Sequence, residues 1–444
     1  MTTSLYSTRG ADPTTAPAFL APLEGRDAAI LPVVADLRAR GRARFAAVGL
    51  PTVKNEAWRY TNLRELAKQS IAPAGDSAAT PVDRLPTVRS AGAGPRLVFV
   101  DGRFRADLST LQGLPTGVLL TDFASACRDH GDLVAAHLGR LASADDRPLV
   151  ALNSADLTDG VVLRVGAGVA VAEPIELVYV TVGREGVTAS SHPRALILLE
   201  TGARAVLVEH HISQGGAAVL SNHVAEITIG EGATLHHCKV QRENDASFHL
   251  SHIAASVATG GVYDNFILTL GARLSRNEVV SALDGRDART HVSGGYMVRG
   301  HQHADISTVI DHAQPNGTSR EVYKGVIDDH ARAAFQGKII VRPQAQKTDG
   351  HQLNRALLLS DNAEIDAKPE LQIFADDVKC SHGCTAGELD DNALFYLRAR
   401  GIDKETARGL LIGAFLADVL DEIAEAPIRD AFQDYVAGWL EEQR

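Results

Sequence analysis

The chain has 444 residues, 45% of them apolar and 22% charged, a balance that excludes a disordered polypeptide and allows a large buried core. Its formal net charge of −11 excludes a sequence-wide attraction to nucleic acid or to an anionic membrane. Four cysteines in so long a chain do not make a disulfide framework, and no apolar run approaches the ~18 residues of a membrane span. Residues 1–20 are polar and lack the basic start and apolar run of a secretory signal, so a cytoplasmic protein with reduced thiols is expected.

In chain order, residues 26–74 read as helical. Within them Ile30–Val48 carries Leu31, Val34, Leu37 and Phe45 near helical spacing and stops at Gly49–Leu50–Pro51. A Pro-, Gly- and Ser/Thr-rich stretch over 72–95 leads into a short strand, Arg96–Val100, closed by the turn Asp101–Gly102. Helical periodicity returns over 123–144, so residues 1–150 are expected to form a mixed, mostly helical cap domain.

From Val161 to about Val378 the helical period vanishes and β-branched residues dominate. A short apolar strand, a turn containing an Xaa–Ala step and another strand recur at Gly166–Ala167, Gly202–Ala203, Gly232–Ala233, Gly271–Ala272, His330–Ala331 and Asn362–Ala363. A recurrence of this length predicts a stacked β-solenoid over 151–386, in which each coil buries its apolar side against the next. Gly and Asn at the turns suit a left-handed corner.

Residues 387–444 switch back to helix and hold 13 acidic against 6 basic residues. Asp391–Arg400 ends at Gly401, Asp403 can cap a second helix, and a third follows Pro427. The second helix carries an apolar stripe that includes Leu411, Phe415 and Val419, expected to lie exposed as a docking surface.

Fifteen of the 17 histidines lie between His192 and His382, and they are expected chiefly as polar residues on the outer face of the solenoid. The sharper candidate is the run Asp376–Asp377–Val378–Lys379–Cys380–Ser381–His382–Gly383–Cys384. Alternation along a strand puts Cys380, His382 and Cys384 on one side, and thiolate with imidazole is a soft donor set suited to iron, zinc or Cu(I). Three donors fall short of the four that usually hold a cluster, so a partner would have to complete the site. A buried Cys beside a hydrogen-bonded His is the structural alternative. No phosphate-binding loop is present: Ile339 follows Gly337–Lys338, and Arg332 stands where its first glycine belongs.

Asn55–Glu56–Ala57–Trp58–Arg59–Tyr60–Thr61, Asp377–Val378–Lys379–Cys380–Ser381–His382–Gly383 and the segment 409–415 resemble motifs of the SufB/SufD family of iron–sulfur cluster assembly scaffolds, in its SufD branch. The resemblance runs from about Leu50 to the C-terminus. It implies a right-handed parallel β-helix between an N-terminal and a C-terminal helical domain, and a non-catalytic scaffold rather than an enzyme. It further implies a heterodimer with SufB through the β-helix ends, and an ABC-type ATPase, SufC, docked on the C-terminal helices. A transient Fe–S cluster shared with SufB is the implied cargo, with His382 and Cys380 at the family's functional positions. The family usually carries Ala where this chain has Cys384. Flavin binding in the complex and a homodimer of the isolated chain are left open by the resemblance. The competing readings are a SufB-type paralogue, a polysaccharide-active β-helix enzyme and a His-rich metal enzyme.

Overall fold

A computed structural model describes residues 10–24, 32–75, 80–83, 85–88, 94–145, 147–157 and 159–442. From Gly160 to Gly387 the chain alternates between two parallel sheets that face each other as the walls of a solenoid. The first wall contains Gly160–Val165, Arg194–Leu199, Val219–Ile229, Phe248–Val257, Leu274–Leu283, His303–His312, Arg332–Val341 and Glu364–Ile373. The second contains Ile175–Thr181, Arg204–Ser213, Thr234–Arg242, Val262–Thr269, Arg289–Val298, Thr318–Ile327, Asp349–Leu358 and Lys379–Gly387. Together they make eight coils.

Register in the first wall stacks Arg194, Val224, His252, Glu278, Ser307, Gln336 and Lys368, so successive coils add 30, 28, 26, 29, 29 and 32 residues. The more uneven recurrence of the Xaa–Ala steps has a simple cause. Gly166–Ala167, Gly202–Ala203 and Gly232–Ala233 turn from the first wall to the second, whereas Gly271–Ala272, His330–Ala331 and Asn362–Ala363 turn back. At most of these corners the alanine is small enough to point inward: Ala203, Ala233, Ala272 and Ala331 are fully buried, whereas Ala167 at the first corner is exposed. Gly202 and Gly232 take the left-handed conformation, as expected, while at the Gly271 corner Ala272 takes it instead. Leu, Ile, Val and Ala from the inner faces fill the lumen core, among them Ile197, Leu207, Ile227, Leu235, Ile253 and Ile310.

The early end of the solenoid is closed. Val118–Asp122 pairs antiparallel with Gly160–Val165, and Arg96–Val100 pairs with Ile175–Thr181 and turns back onto Arg103–Phe104. A helix over Pro32–Val48 packs against the wholly buried helix Pro148–Ala155. Ile30 and Leu31 of the anticipated first helix lie outside the described residues. The helix expected over 123–144 is two short ones, Phe123–Asp129 and Gly131–His137, because His130 between them has non-helical dihedrals.

The Asn55–Thr61 motif straps this cap to the outer face of the first wall. Asn55 caps a short 3₁₀ turn by accepting the Ala57 N–H at 3.1 Å. Trp58 is buried among Leu220, Phe248, Leu250 and Leu274, with the Arg276 guanidinium 4.2 Å from its ring centroid. Arg276 pairs with Asp305, which also accepts the Thr61 hydroxyl. Arg59 is exposed and Tyr60 half-buried.

Three helices, Asp391–Ala399, Lys404–Leu420 and Ala426–Glu441, complete the fold, with Asp390 and Asp403 as N-caps and Gly401 at positive φ. The last two lie along the outer face of the second wall. Ile412, Leu416, Val419, Phe432 and Trp439 pack there against Val208, Val240, Phe266, Leu268, Met297 and Val322. The exposed stripe expected on the middle helix is therefore corrected. Val419 is fully buried against the solenoid, and Leu411 and Phe415 are half-buried. The Lys324 ammonium sits 4.7 Å from the Phe415 ring and bonds the Phe415 carbonyl at 2.8 Å and Asp418 at 2.6 Å. On these helices the large apolar groups that stay exposed are Leu410, at 52%, and Phe395 and Tyr396 on the first helix, at 74% and 56%.

If the strap works by burial, Trp58→Ala should cost about 3 kcal/mol or more in chemical denaturation, through the lost contact area and the cavity left beside Arg276. A loss below ~1 kcal/mol would mean that the motif is not what fastens the cap.

Candidate functional site

Cys380, His382 and Cys384 alternate along Lys379–Gly387, the last strand of the second wall. Register places them on Gly350, Gln352 and Asn354 of the preceding coil. Below these lie Ser319, Glu321 and Tyr323. All three columns face the lumen, and Gln352, Asn354, Ser319, Glu321 and Tyr323 are buried. The three donors are thus lumen-facing residues of a coil that has no successor among the described residues. That is why His382 is exposed while the residues stacked beneath it are not. Cys384 packs against the lumen core, and Cys380 against Ile339, Val341, Ala345 and Ala375.

Same-face neighbours on one strand stand ~7 Å apart, so these donors form a row along the rim rather than a chelating pocket. Their three ligand atoms do not all come within 4.8 Å of one another. Burial raises both thiols above their ordinary range, so each is held as the neutral S–H until a metal or an outside base removes the proton. What the rim offers is one imidazole flanked by two latent thiolates, open on the side where a further coil would stack.

Glu321 lies two coils beneath His382. Gln352 donates to its carboxylate at 2.6 Å, yet burial pushes its pKa up to about 7. This buried acid went unseen in the sequence, although spacings of 31 and 30 residues carry the column from Glu321 through Gln352 to His382.

The outer-face expectation holds in part: register keeps His210, His236, His252, His291 and His351 on the outer faces but turns His211, His223, His237, His249 and His312 into the lumen. His192, His210, His211, His223, His237, His249, His252 and His312 are all buried. Several fill the lumen of the early coils together with charged partners. Glu209 accepts from His211 Nε2 at 2.9 Å and lies 3.2 Å from His237 Nε2. Lys239 donates to His249 Nε2 and to Asn277, both at 2.9 Å, and His249 Nδ1 contacts Glu243 at 2.7 Å. Desolvation pushes His249 down to about 4 and Lys239 to about 8, while for Glu243 the His249 and His211 imidazoles and the hydrogen bond from Gln241 outweigh burial and hold it down at about 2. Adjacent pairs such as His210–His211 and His236–His237 alternate faces along their strands, but nothing in the sequence pattern shows which face looks inward.

Residues 180–415 match the family model for the SufBD core domain of the SUF system of FeS cluster assembly, and residues 26–177 match the SufBD N-terminal region. The chain belongs to the SufBD family. It is 32% identical over 386 residues to the iron–sulfur cluster assembly protein SufD of Escherichia coli, covering 86% of this chain and 87% of that one. A SufBD-family protein of Synechocystis is 32% identical over 403 residues, 87% of each chain. SufD of Bacillus subtilis is 31% identical over 328 residues, 72% of this chain and 73% of its own. In this SufBD chain no helix among the described residues is long and apolar enough to cross a membrane.

The Glu321 carboxyl makes a pH prediction with a definite sign. Its folded pKa of about 7 lies above the ordinary 4.5, so its contribution to stability is complete below pH 4.5 and is lost as pH rises through 7. Glu321→Gln should abolish that loss and leave the protein about 1–3 kcal/mol more stable than wild type at pH 8, with little difference at pH 4.5. Parallel melting curves for the two proteins across this range would contradict a buried neutral acid.

Proposed function

We propose that this chain is a SufD-type scaffold subunit, not an enzyme, and that it assembles iron–sulfur clusters only with a SufB-type partner joined at the open rim of the solenoid. The observation that carries this reading is the row Cys380–His382–Cys384 on the outermost strand of the second wall, facing the lumen and with no further strand above it among the described residues. A single row cannot chelate one iron, so donors from an abutting rim are needed to close the site. Neutral imidazole is a good donor for iron, and each thiol becomes one on losing its proton. The cluster is cargo, built at the rim and passed on. Cys380 and His382 are the principal donors from this side, and Cys384 adds a second thiol.

The same reading assigns the ATPase step to SufC, since this chain has no phosphate-binding loop. SufC would dock on the C-terminal helices. Phe395, Tyr396 and Leu410 are the better anchors there, with half-buried Leu411 and Phe415 contributing and Val419 serving the fold. Their exposure suits a partner surface, because large aromatic residues commonly dominate such interfaces.

Two tests separate these roles. His382→Ala should leave the melting temperature and the complex with SufB and SufC intact but abolish cluster assembly, read by complementation and by the cluster's visible absorption. Normal clusters in that complex would overturn the rim assignment, and a defect in Cys384→Ala would give the extra thiol a role. Phe395→Asp combined with Leu410→Asp should weaken SufC binding about thirtyfold or more in a pull-down titration of folded protein. Wild-type affinity would move the docking surface elsewhere.

A further inference from the structure

Far from the rim, the lumen holds a second donor set. Ligand atoms of His211, Glu243 and His249 lie within 4.8 Å of one another, and all three residues are buried. Register carries His211 through Gln241, Thr269, Tyr296, Gly325 and Ala356 to Ala386 on the last strand. Six strand-to-strand steps of ~4.8 Å therefore separate this set from the rim by nearly 30 Å. It is a different place from the proposed cluster site and does not depend on that reading.

The hydrogen bonds of this group do not close. His211 spends Nε2 on Glu209 and leaves Nδ1 buried with no partner. His249 accepts from the Lys239 ammonium at Nε2, so its own proton sits on Nδ1 and is donated to Glu243. Gln241 occupies the other Glu243 oxygen at 2.6 Å. Two carboxylates, Glu209 and Glu243, face one ammonium, Lys239, which leaves one negative charge over in a buried lumen. An uncompensated buried charge is costly, and a neighbouring imidazole nitrogen with an idle lone pair is the group that binds a cation.

We propose that His211, Glu243 and His249 form a buried binding site for one divalent transition-metal ion of the zinc or iron(II) class. Two imidazoles and a carboxylate are an established donor set for such ions, with a fourth position left to water. The ion takes the place between His249 Nδ1 and Glu243 that a proton holds in its absence. His211 supplies its unpartnered Nδ1. The charge and protons balance. His249 gives up its Nδ1 proton to solvent, and Lys239 passes a proton to His249 Nε2 and becomes a neutral amine. The ion adds two positive charges, one proton leaves, and the local charge goes from −1 to zero. Glu209 and Gln241 hold His211 and Glu243 in place from behind.

The site is enclosed, so metal is supplied during synthesis. The full chain is expressed in defined medium containing Zn²⁺ or Co²⁺, stripped of surface metal by chelator and gel filtration, and assayed by mass spectrometry of the metal. Wild type should hold one ion per chain, and so should the combined variant Cys380→Ala, His382→Ala, Cys384→Ala. His249→Gln and Glu243→Gln should each lose bound metal by about tenfold or more, as removal of a ligand should cost at least what loss of a supporting residue does. The cobalt protein should show the visible bands of a four-coordinate site without a thiolate charge-transfer band, which keeps the test decisive even where the lumen variants do not fold. A wild-type chain free of metal, a thiolate band, or metal lost with the rim variant would overturn the proposal.

Discussion

In a parallel solenoid, a coil satisfies its backbone only by hydrogen bonding to the coil before it and the coil after it. Each N–H and C=O of the wall strands points along the stacking axis, so the requirement passes from coil to coil until something ends it. At the early end this chain ends it from within. Val118–Asp122 and Arg96–Val100 pair with the first strands of the two walls, and the helical cap is strapped over them by Trp58 and Arg276. At the late end Glu364–Ile373 and Lys379–Gly387 are the outermost strands of their sheets. The C-terminal helices, which have enough apolar surface to cover an edge, lie along the flank instead. Long open edges are a hazard that folded proteins normally blunt, and two edges that no described strand covers, on the coil that carries Cys380, His382 and Cys384, suit a surface meant to be paired.

The same stacking explains the polar lumen. In-register columns bring residues of one kind of position together every 26–32 residues, so a polar side chain turned inward must find its partner a coil away. Where columns are apolar the result is an ordinary core. Where they are not, charged and imidazole groups satisfy one another across coils, as Glu209 does with His237 and Lys239 with Asn277. Such networks specify register strongly, because a one-residue slip would turn Glu209, His211 and Lys239 out of the lumen and leave their partners unpaired. Toward the rim the network thins to Glu321, Gln352 and His382, one polar column running from a buried neutral acid to an exposed imidazole.

Much of the architecture was legible in the sequence, because β-branched runs and Xaa–Ala corners have only one economical reading at this spacing. The coil length was not, since alanine corners of two kinds were interleaved and Gly260–Gly261 and Asp287–Ala288 filled the same role in coils between them. Strand alternation placed Cys380, His382 and Cys384 on one side, and the structure keeps them there. It could not say that the side was the lumen, nor that the row stood at a rim. For the histidines alternation held, with His210 and His236 outward and His211 and His237 inward, but the pattern does not name the inner face, and His211 and His249 went inward because charged partners waited there. Val419 was misread for a related reason. An apolar helical stripe looks the same whether it meets a partner or the protein's own second wall.

The central claim is that the last coil is an unfinished edge, completed by a second rim. Amide hydrogen exchange along Lys379–Gly387 tests it most directly, measured for the free chain and for the chain mixed with its SufB-type partner. The account predicts fast exchange of this strand in the free protein, slow exchange in Asp349–Leu358 beneath it, and strong protection of Lys379–Gly387 on complex formation. Protection confined to the C-terminal helices, with the terminal strand exchanging as fast in the complex as alone, would contradict it.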